Sequence, residues 1–393
     1  MAGTTASGFE HVAEAFEAGA ADLGRGGGAF CAYVDGEKVV DLWTGNAAPG
    51  RPWQEDTRAV LMSSTKGAAA LCCLVLADRG RLDVDRRVAD YWPEFAKEGK
   101  EHITVRQLLD HSAGTIGVPG HETLLQWDGT GWRDTAEIVR RLERAAPAWE
   151  PGTQHGYHAL TCGWLWGELL RRITATTLGQ FFRDEIAVPL GLELEIGTPV
   201  ADRVARVIDV ELDVLPPDIR ELLEPLYVAN RDPATLTGQA FLARDGVGLL
   251  DRLAQLMNNP SVLAAEVPGG NGTATARGVA RMYAALALGG ELDGCRICGP
   301  DTIAQFTVEQ RCEDDVVIGL PVSRGLGYWL NRVPGTLGNR MGPNDEAFGH
   351  GGAGGQIGFA DPVRRVSVGF VRSQLSLIPT YSDALIEALY AHL

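Results

Sequence analysis

The chain has 393 residues, 45% of them apolar and 22% charged, with a formal net charge of -16 and a pI near 5.0. That length and composition suit one large or two medium globular units with a substantial core, and they exclude a disordered chain. The acidic balance argues against nucleic acid or an anionic membrane surface as the main partner, because both select a basic face.

Phe9, Val12, Ala13, Phe16 and Ala20 recur at helical spacing and predict an N-terminal amphipathic helix. The residues before it have neither the basic start nor the apolar core of a signal peptide, and no run reaches the ~18 apolar residues of a membrane span. The expectation is a cytoplasmic enzyme. Seven cysteines, an odd number placed mostly in apolar stretches, suit a reducing compartment. Cys295-Arg-Ile-Cys298 has the spacing of a redox pair or half a zinc site, but no second pair of ligands stands nearby. Incidental thiols are expected, with no metal and no cofactor.

Residues 29–34 and 39–43 are β-rich and flank Asp35-Gly36, which predicts a hairpin; residues 44–56 read as a loop. The stretch from Val60 to Ala77 is the most informative in the chain. A short apolar run ends at Ser63, and a long Ala- and Leu-rich segment follows, which predicts a buried helix with Ser63 at or near its first turn. Residues three apart share a helix face, so Lys66 lies beside Ser63. A serine hydroxyl is a poor nucleophile until a neighbouring base takes its proton, and a buried lysine can serve as that base. Ser-x-x-Lys alone also fits an ordinary helix cap.

Thr104 opens a short helix that ends before Ser112-Ala113-Gly114. Residues 115–150 are irregular and carry Trp127, Trp132 and Trp149, which either border a binding site or anchor packing. Residues 151–158 form a turn and a helix follows to about Arg172. An acidic segment (Glu211, Asp213, Asp218, Glu221, Glu224) comes next. Gly269-Gly270-Asn271-Gly272 reads as a flexible turn before a helix over 274–288. Strands are predicted over 316–320, 325–330, 357–361 and 366–371, with a final helix around Leu385 and Leu389. The β signal therefore sits at both ends with helices between, an α/β (α+β) arrangement. Residues 1–65 and 300–393 are expected to build an antiparallel sheet flanked by helices, and 66–299 a mainly helical subdomain of the same catalytic unit.

Three ordered motifs now stand out: Ser63-Ser64-Thr65-Lys66, Tyr157-His158-Ala159, and His350-Gly351-Gly352 within Gly349-His350-Gly351-Gly352-Ala353-Gly354-Gly355. Their order resembles the serine β-lactamase and penicillin-binding-protein superfamily, in particular the class C β-lactamase-like family VIII carboxylesterases. The similarity extends to Leu108-Leu109-Asp110-His111-Ser112-Ala113-Gly114 and Gly325-Leu326-Gly327-Tyr328. The resemblance implies a β-lactamase/transpeptidase-like fold. It implies an acylated nucleophile at Ser63, a base at Lys66, and a proton relay at Tyr157. The backbone N–H groups of Ser63 and Ala353 would form the oxyanion hole, and His350, Gly351 and Gly352 would line the substrate site with Trp127, Trp132 and His158. Two departures bear on substrate. His350 replaces a permanent cation and Ala159 replaces an asparagine, so neutral small-molecule esters are expected rather than penicillins. Transfer of the acyl group to an amine or alcohol, hydrolysis of an amide or β-lactam, and a non-catalytic sensor are the alternatives.

Overall fold

The computed structural model describes residues 1–210, 216–333 and 341–393; Glu211 and Asp213 of the acidic segment lie outside them. The sheet grows from the hairpin. Strands β2 (Gly27–Val34) and β3 (Glu37–Ala48) pair antiparallel across Asp35 (φ 50°) and Gly36 (φ 86°). Two positive φ angles in a two-residue turn give the twist that matches right-handed strands. β3 runs beyond Trp43 and turns back through Arg51–Pro52, so part of the expected loop is strand. Strand β1 (Ala2–Thr5) adds to β3 with Ala2 opposite Trp43, although its small polar residues carry no alternation to announce it.

The C-terminal strands complete the layer: β4 (Trp329–Leu330), β5 (Phe348–Gly352), β6 (Gln356–Asp361) and β7 (Val366–Arg372). The strand order is β1-β3-β2-β7-β6-β5-β4, antiparallel throughout, with Arg51–Pro52 as the eighth strand against β3. Both termini thus meet in one sheet at the β2–β7 pair. His350-Gly351-Gly352 lies within β5 rather than before a strand. The apolar run 316–318 is a turn and not a strand, because the Asp315 carboxylate takes the Val317 and Ile318 N–H groups at 2.9 Å each.

The helices that frame the sheet and site are α1 (Glu10–Ala18), α2 (Thr65–Asp78), α3 (Val105–Leu109), α4 (Thr161–Thr174), α5 (Pro217–Asn230), α6 (Ala276–Ala287) and α7 (Thr380–Tyr390). On one face α1 and α7 bury Val12, Phe16, Leu385 and Leu389 against Phe30 and Phe370. The other face carries α6, whose Ala280 carbonyl accepts from Ser367 Oγ at 2.7 Å. Residues 276–287, expected in the helical part, therefore pack on the sheet. α2 is buried from Thr65 to Leu76, which is why its sequence is apolar all round rather than striped. Thr104 and Gln107 close a capping box on α3.

The sheet and α6 approach closely because glycine faces the helix. A Cβ on Gly369 would stand 2.3 Å from Ala276 O and 2.7 Å from Ala280 N, both backbone atoms that cannot rotate away. Gly369→Ala is therefore expected to destabilise the protein by about 1–3 kcal/mol, read as a lower urea midpoint with an unchanged m-value.

Candidate active site

The Ser63 turn is held from three sides. Met62, the residue before it, takes φ 48°, a left-handed conformation rare for a side chain of its size, and its carbonyl accepts from Thr65 Oγ1 at 2.6 Å. Ser63 stands on a single 3-10 turn, Met62–Ser64, that runs into α2, so the serine precedes the α-helix proper. Strand β5 closes the second side. A Cβ on Gly352 would come within 2.3 Å of Leu61 O and 3.1 Å of Ser64 Oγ, so only glycine lets the strand lie this near the turn. The third side is the 269–272 loop, where Leu61 N donates to Gly272 O at 2.8 Å and Gly272 N donates to Thr65 Oγ1 at 2.9 Å.

Lys66 projects from the first turn of α2 into this frame and is fully buried. Its Nζ donates to Gly269 O at 2.6 Å and to Ala159 O at 2.7 Å, and lies 3.4 Å from Ser63 Oγ. An ammonium fills all three directions. A neutral amine keeps two N–H groups for the two carbonyls, and its lone pair is left facing Ser63 Oγ. The two carbonyls thus fix the direction of the amine. The loop that carries Gly269 is not a loose turn. Asn271 is buried, donates to Val262 O at 2.7 Å and Ala265 O at 2.8 Å, and accepts from Val267 N at 3.1 Å. Gly163 on α4 allows the contact, since a Cβ there would lie 2.1 Å from Gly269 N.

Tyr157 lies over the same amine, with its ring centroid 4.6 Å from Lys66 Nζ. Ser63, Tyr157, Gly351, Gly352 and Ala353 line one cavity of about 360 Å³, whose wall comes from Leu223, Leu226 and Tyr227 of α5 and from Phe241, Leu253 and Trp329. Among the described residues that line it, none is Lys, Arg or His, while Asp209 and Asp251 are acidic. Of the acidic segment, Asp218, Glu221 and Glu224 are exposed on α5, whereas its Leu223 faces the cavity.

The remaining expected site residues fall elsewhere. Trp132 is buried and donates to Gln126 O at 2.9 Å, and Trp127 packs under the Arg244 guanidinium at 4.2 Å; neither lines the cavity. Both are packing anchors. His350 is buried behind Trp329, with ring centroids 4.4 Å apart, and its Nδ1 donates to Gly351 O at 2.6 Å. Burial and the nearby Lys66 ammonium push its pKa well below the usual histidine value. His158 also faces inward: Nδ1 donates to Gly156 O at 2.7 Å, and Nε2 accepts from Thr115 N at 3.0 Å. Both ring nitrogens are spent on backbone, which fixes the neutral tautomer and makes this a structural histidine.

A family model described as Beta-lactamase matches residues 12–389. The chain belongs to the beta-lactamase family. It is 37% identical over 356 residues to the esterase/beta-lactamase LipL of Mycobacterium tuberculosis, covering 89% of this chain and 77% of that protein. The crystal structure of a family VIII carboxylesterase superposes with a TM-score of 0.85 at 37% identity, over 100% of this chain and 99% of the other. A shorter similarity, 30% over 159 residues (36% of this chain, 38% of the relative), links it to the monacolin J acid methylbutanoyltransferase of Aspergillus terreus. The beta-lactamase-like fold agrees with the expectation from sequence.

Burial pushes the His158 pKa down to about 4. The unfolded chain, with its histidine near the ordinary value of about 6.5, then binds more protons than the folded one between those two values. Stability should therefore rise with pH across that window and fall as pH drops from about 6.5 towards about 4. Urea titrations at several pH values check the slope, and the His158 ring signals in NMR should stay those of the neutral form down to about pH 5.

Proposed function

We propose that this protein is a serine hydrolase of neutral carboxylic esters that works through an acyl-enzyme on Ser63. The observation that carries the reading is the pinning of Lys66 Nζ between two backbone carbonyls with its third direction towards Ser63 Oγ. As Oγ attacks the ester carbonyl carbon, its proton passes to Lys66 Nζ. The tetrahedral oxyanion is met by the N–H groups of Ser63 and Ala353, two cavity-lining residues on opposing elements. Collapse breaks the bond to the leaving oxygen, which takes a proton from the Tyr157 phenol, and Lys66 returns a proton to Tyr157. Water then repeats the sequence in reverse and frees the acid.

The cavity supports the substrate class. Its apolar wall suits an uncharged acyl or alcohol group, and with no cation among the described lining residues a substrate carboxylate has no counter-charge from them. That favours esters over penicillins, whose carboxylate needs one. A second reading keeps the acyl-enzyme and passes the acyl group to an alcohol or amine; the similarity to a methylbutanoyltransferase supports it. The two differ only in which acceptor reaches the acyl-enzyme first.

Ser63→Ala should lower kcat for p-nitrophenyl butyrate by about 10³-fold or more with an unchanged circular dichroism spectrum. Lys66→Ala should lose both turnover and fluorophosphonate labelling. Labelling of that variant at the wild-type rate contradicts the assignment of Lys66 as base.

A further inference from the structure

Beneath the face of Tyr157 lies an ion pair that the sequence motifs do not contain. Arg324 and Asp315 are 1% and 0% exposed and are joined through Arg324 Nη2 and Asp315 Oδ2. The other carboxylate oxygen, Asp315 Oδ1, accepts from the Tyr157 N–H at 3.0 Å. The guanidinium carbon of Arg324 stands 5.3 Å from the centroid of the Tyr157 ring. Arg324 Nε donates to His155 Nδ1 at 3.2 Å, and His155 Nε2 donates to Glu313 O at 2.9 Å, so the pair is braced from the turn that precedes the tyrosine. Tyr157 is thus gripped twice by one ion pair, at its backbone by the carboxylate and over its ring by the guanidinium.

The other groups facing Tyr157 explain why this matters. His111 stacks on its ring at 5.6 Å and His350 lies at 6.4 Å, and burial drives the pKa of each well down, so both are neutral. His155 is lowered as well, chiefly by burial and then by Arg324. The permanent charges around the ring reduce to Arg324 over it and Asp315 at its backbone, joined by Lys66 once its amine has taken the serine proton. The pair therefore presents its positive end to the ring and its negative end to the main chain. A cation over an aromatic ring attracts its π-face and favours negative charge as the phenol proton leaves.

We propose that Arg324, anchored by Asp315, is a positioning residue for Tyr157 and holds a permanent cation against its ring. This rests on the proton-relay role given to Tyr157 above. Arg324 acts only through Tyr157, so its contribution vanishes once the phenol oxygen is gone.

A double-mutant cycle reads that coupling. Removing one charge alone strands the other in the interior, so the pair is neutralised together as Arg324→Gln with Asp315→Asn. In the wild-type background this pair of changes is expected to lower kcat for p-nitrophenyl butyrate by about 10- to 100-fold, the range of a general acid–base contribution, with KM within about twofold. In a Tyr157→Phe background the same pair should lower kcat by less than about threefold. Equal losses in both backgrounds, or no loss in the wild-type background, overturn the proposal. If the neutral pair does not fold, Arg324→Lys replaces it in both backgrounds. It keeps a charge for Asp315 but withdraws the planar group from the ring, and the same coupling is expected. Tyr157→Phe alone separates the two layers: if it keeps wild-type kcat, the relay role of Tyr157 fails, whatever Arg324 does.

Discussion

The structure turns on a buried amine that two main-chain carbonyls hold in place. Ala159 O and Gly269 O come from segments 110 residues apart, and Gly269 reaches Lys66 only because other residues allow it. Gly163 opens the space through which the 269–272 loop approaches α4, and Asn271 ties that loop to Val262 and Ala265. The Met62 turn sets Ser63 against β5, and the glycine at 352 lets β5 close on it. Remove any of these and the lysine side chain still exists, but its lone pair no longer has a fixed direction.

Charge around the site follows the same economy. Four histidines lie near Tyr157, and burial drives the pKa of each down. His158 spends both ring nitrogens on backbone groups, and His111 accepts the His158 N–H at 3.0 Å. Two cations lie against the Tyr157 ring instead, Lys66 beside Ser63 and Arg324 paired with Asp315. Among the described residues the cavity lining carries no cation, which is the feature on which the proposal of neutral ester substrates rests.

Much of this was legible in the sequence where local rules suffice. The Asp35-Gly36 hairpin, the Thr104 cap and the apolar α2 each follow from a short pattern, and the three motifs bring Ser63, Tyr157, Gly351 and Gly352 to one cavity with Lys66 buried beside Ser63. What escaped depends on contacts between distant segments. Gly269-Gly270-Asn271-Gly272 has the composition of a mobile turn, and only its burial under α4 makes it a rigid donor of a carbonyl. Trp127 and Trp132 look like site residues in a glycine-rich stretch, yet their indoles are consumed by packing on Arg244 and by a bond to Gln126. Asp315 and Arg324 carry no motif at all. Asp315 sits beside the apolar run 316–318, which reads as a strand until its carboxylate is seen to take the N–H groups a strand would need.

The central claim, that the aimed Lys66 amine makes Ser63 the acylated nucleophile, is tested most directly by intact-protein mass spectrometry during turnover of p-nitrophenyl butyrate. The account predicts one butyryl equivalent per chain, mapped to the peptide that contains Ser63 and lost in water after the ester is exhausted. Steady ester turnover with no adduct, or with the adduct on another residue, would contradict it.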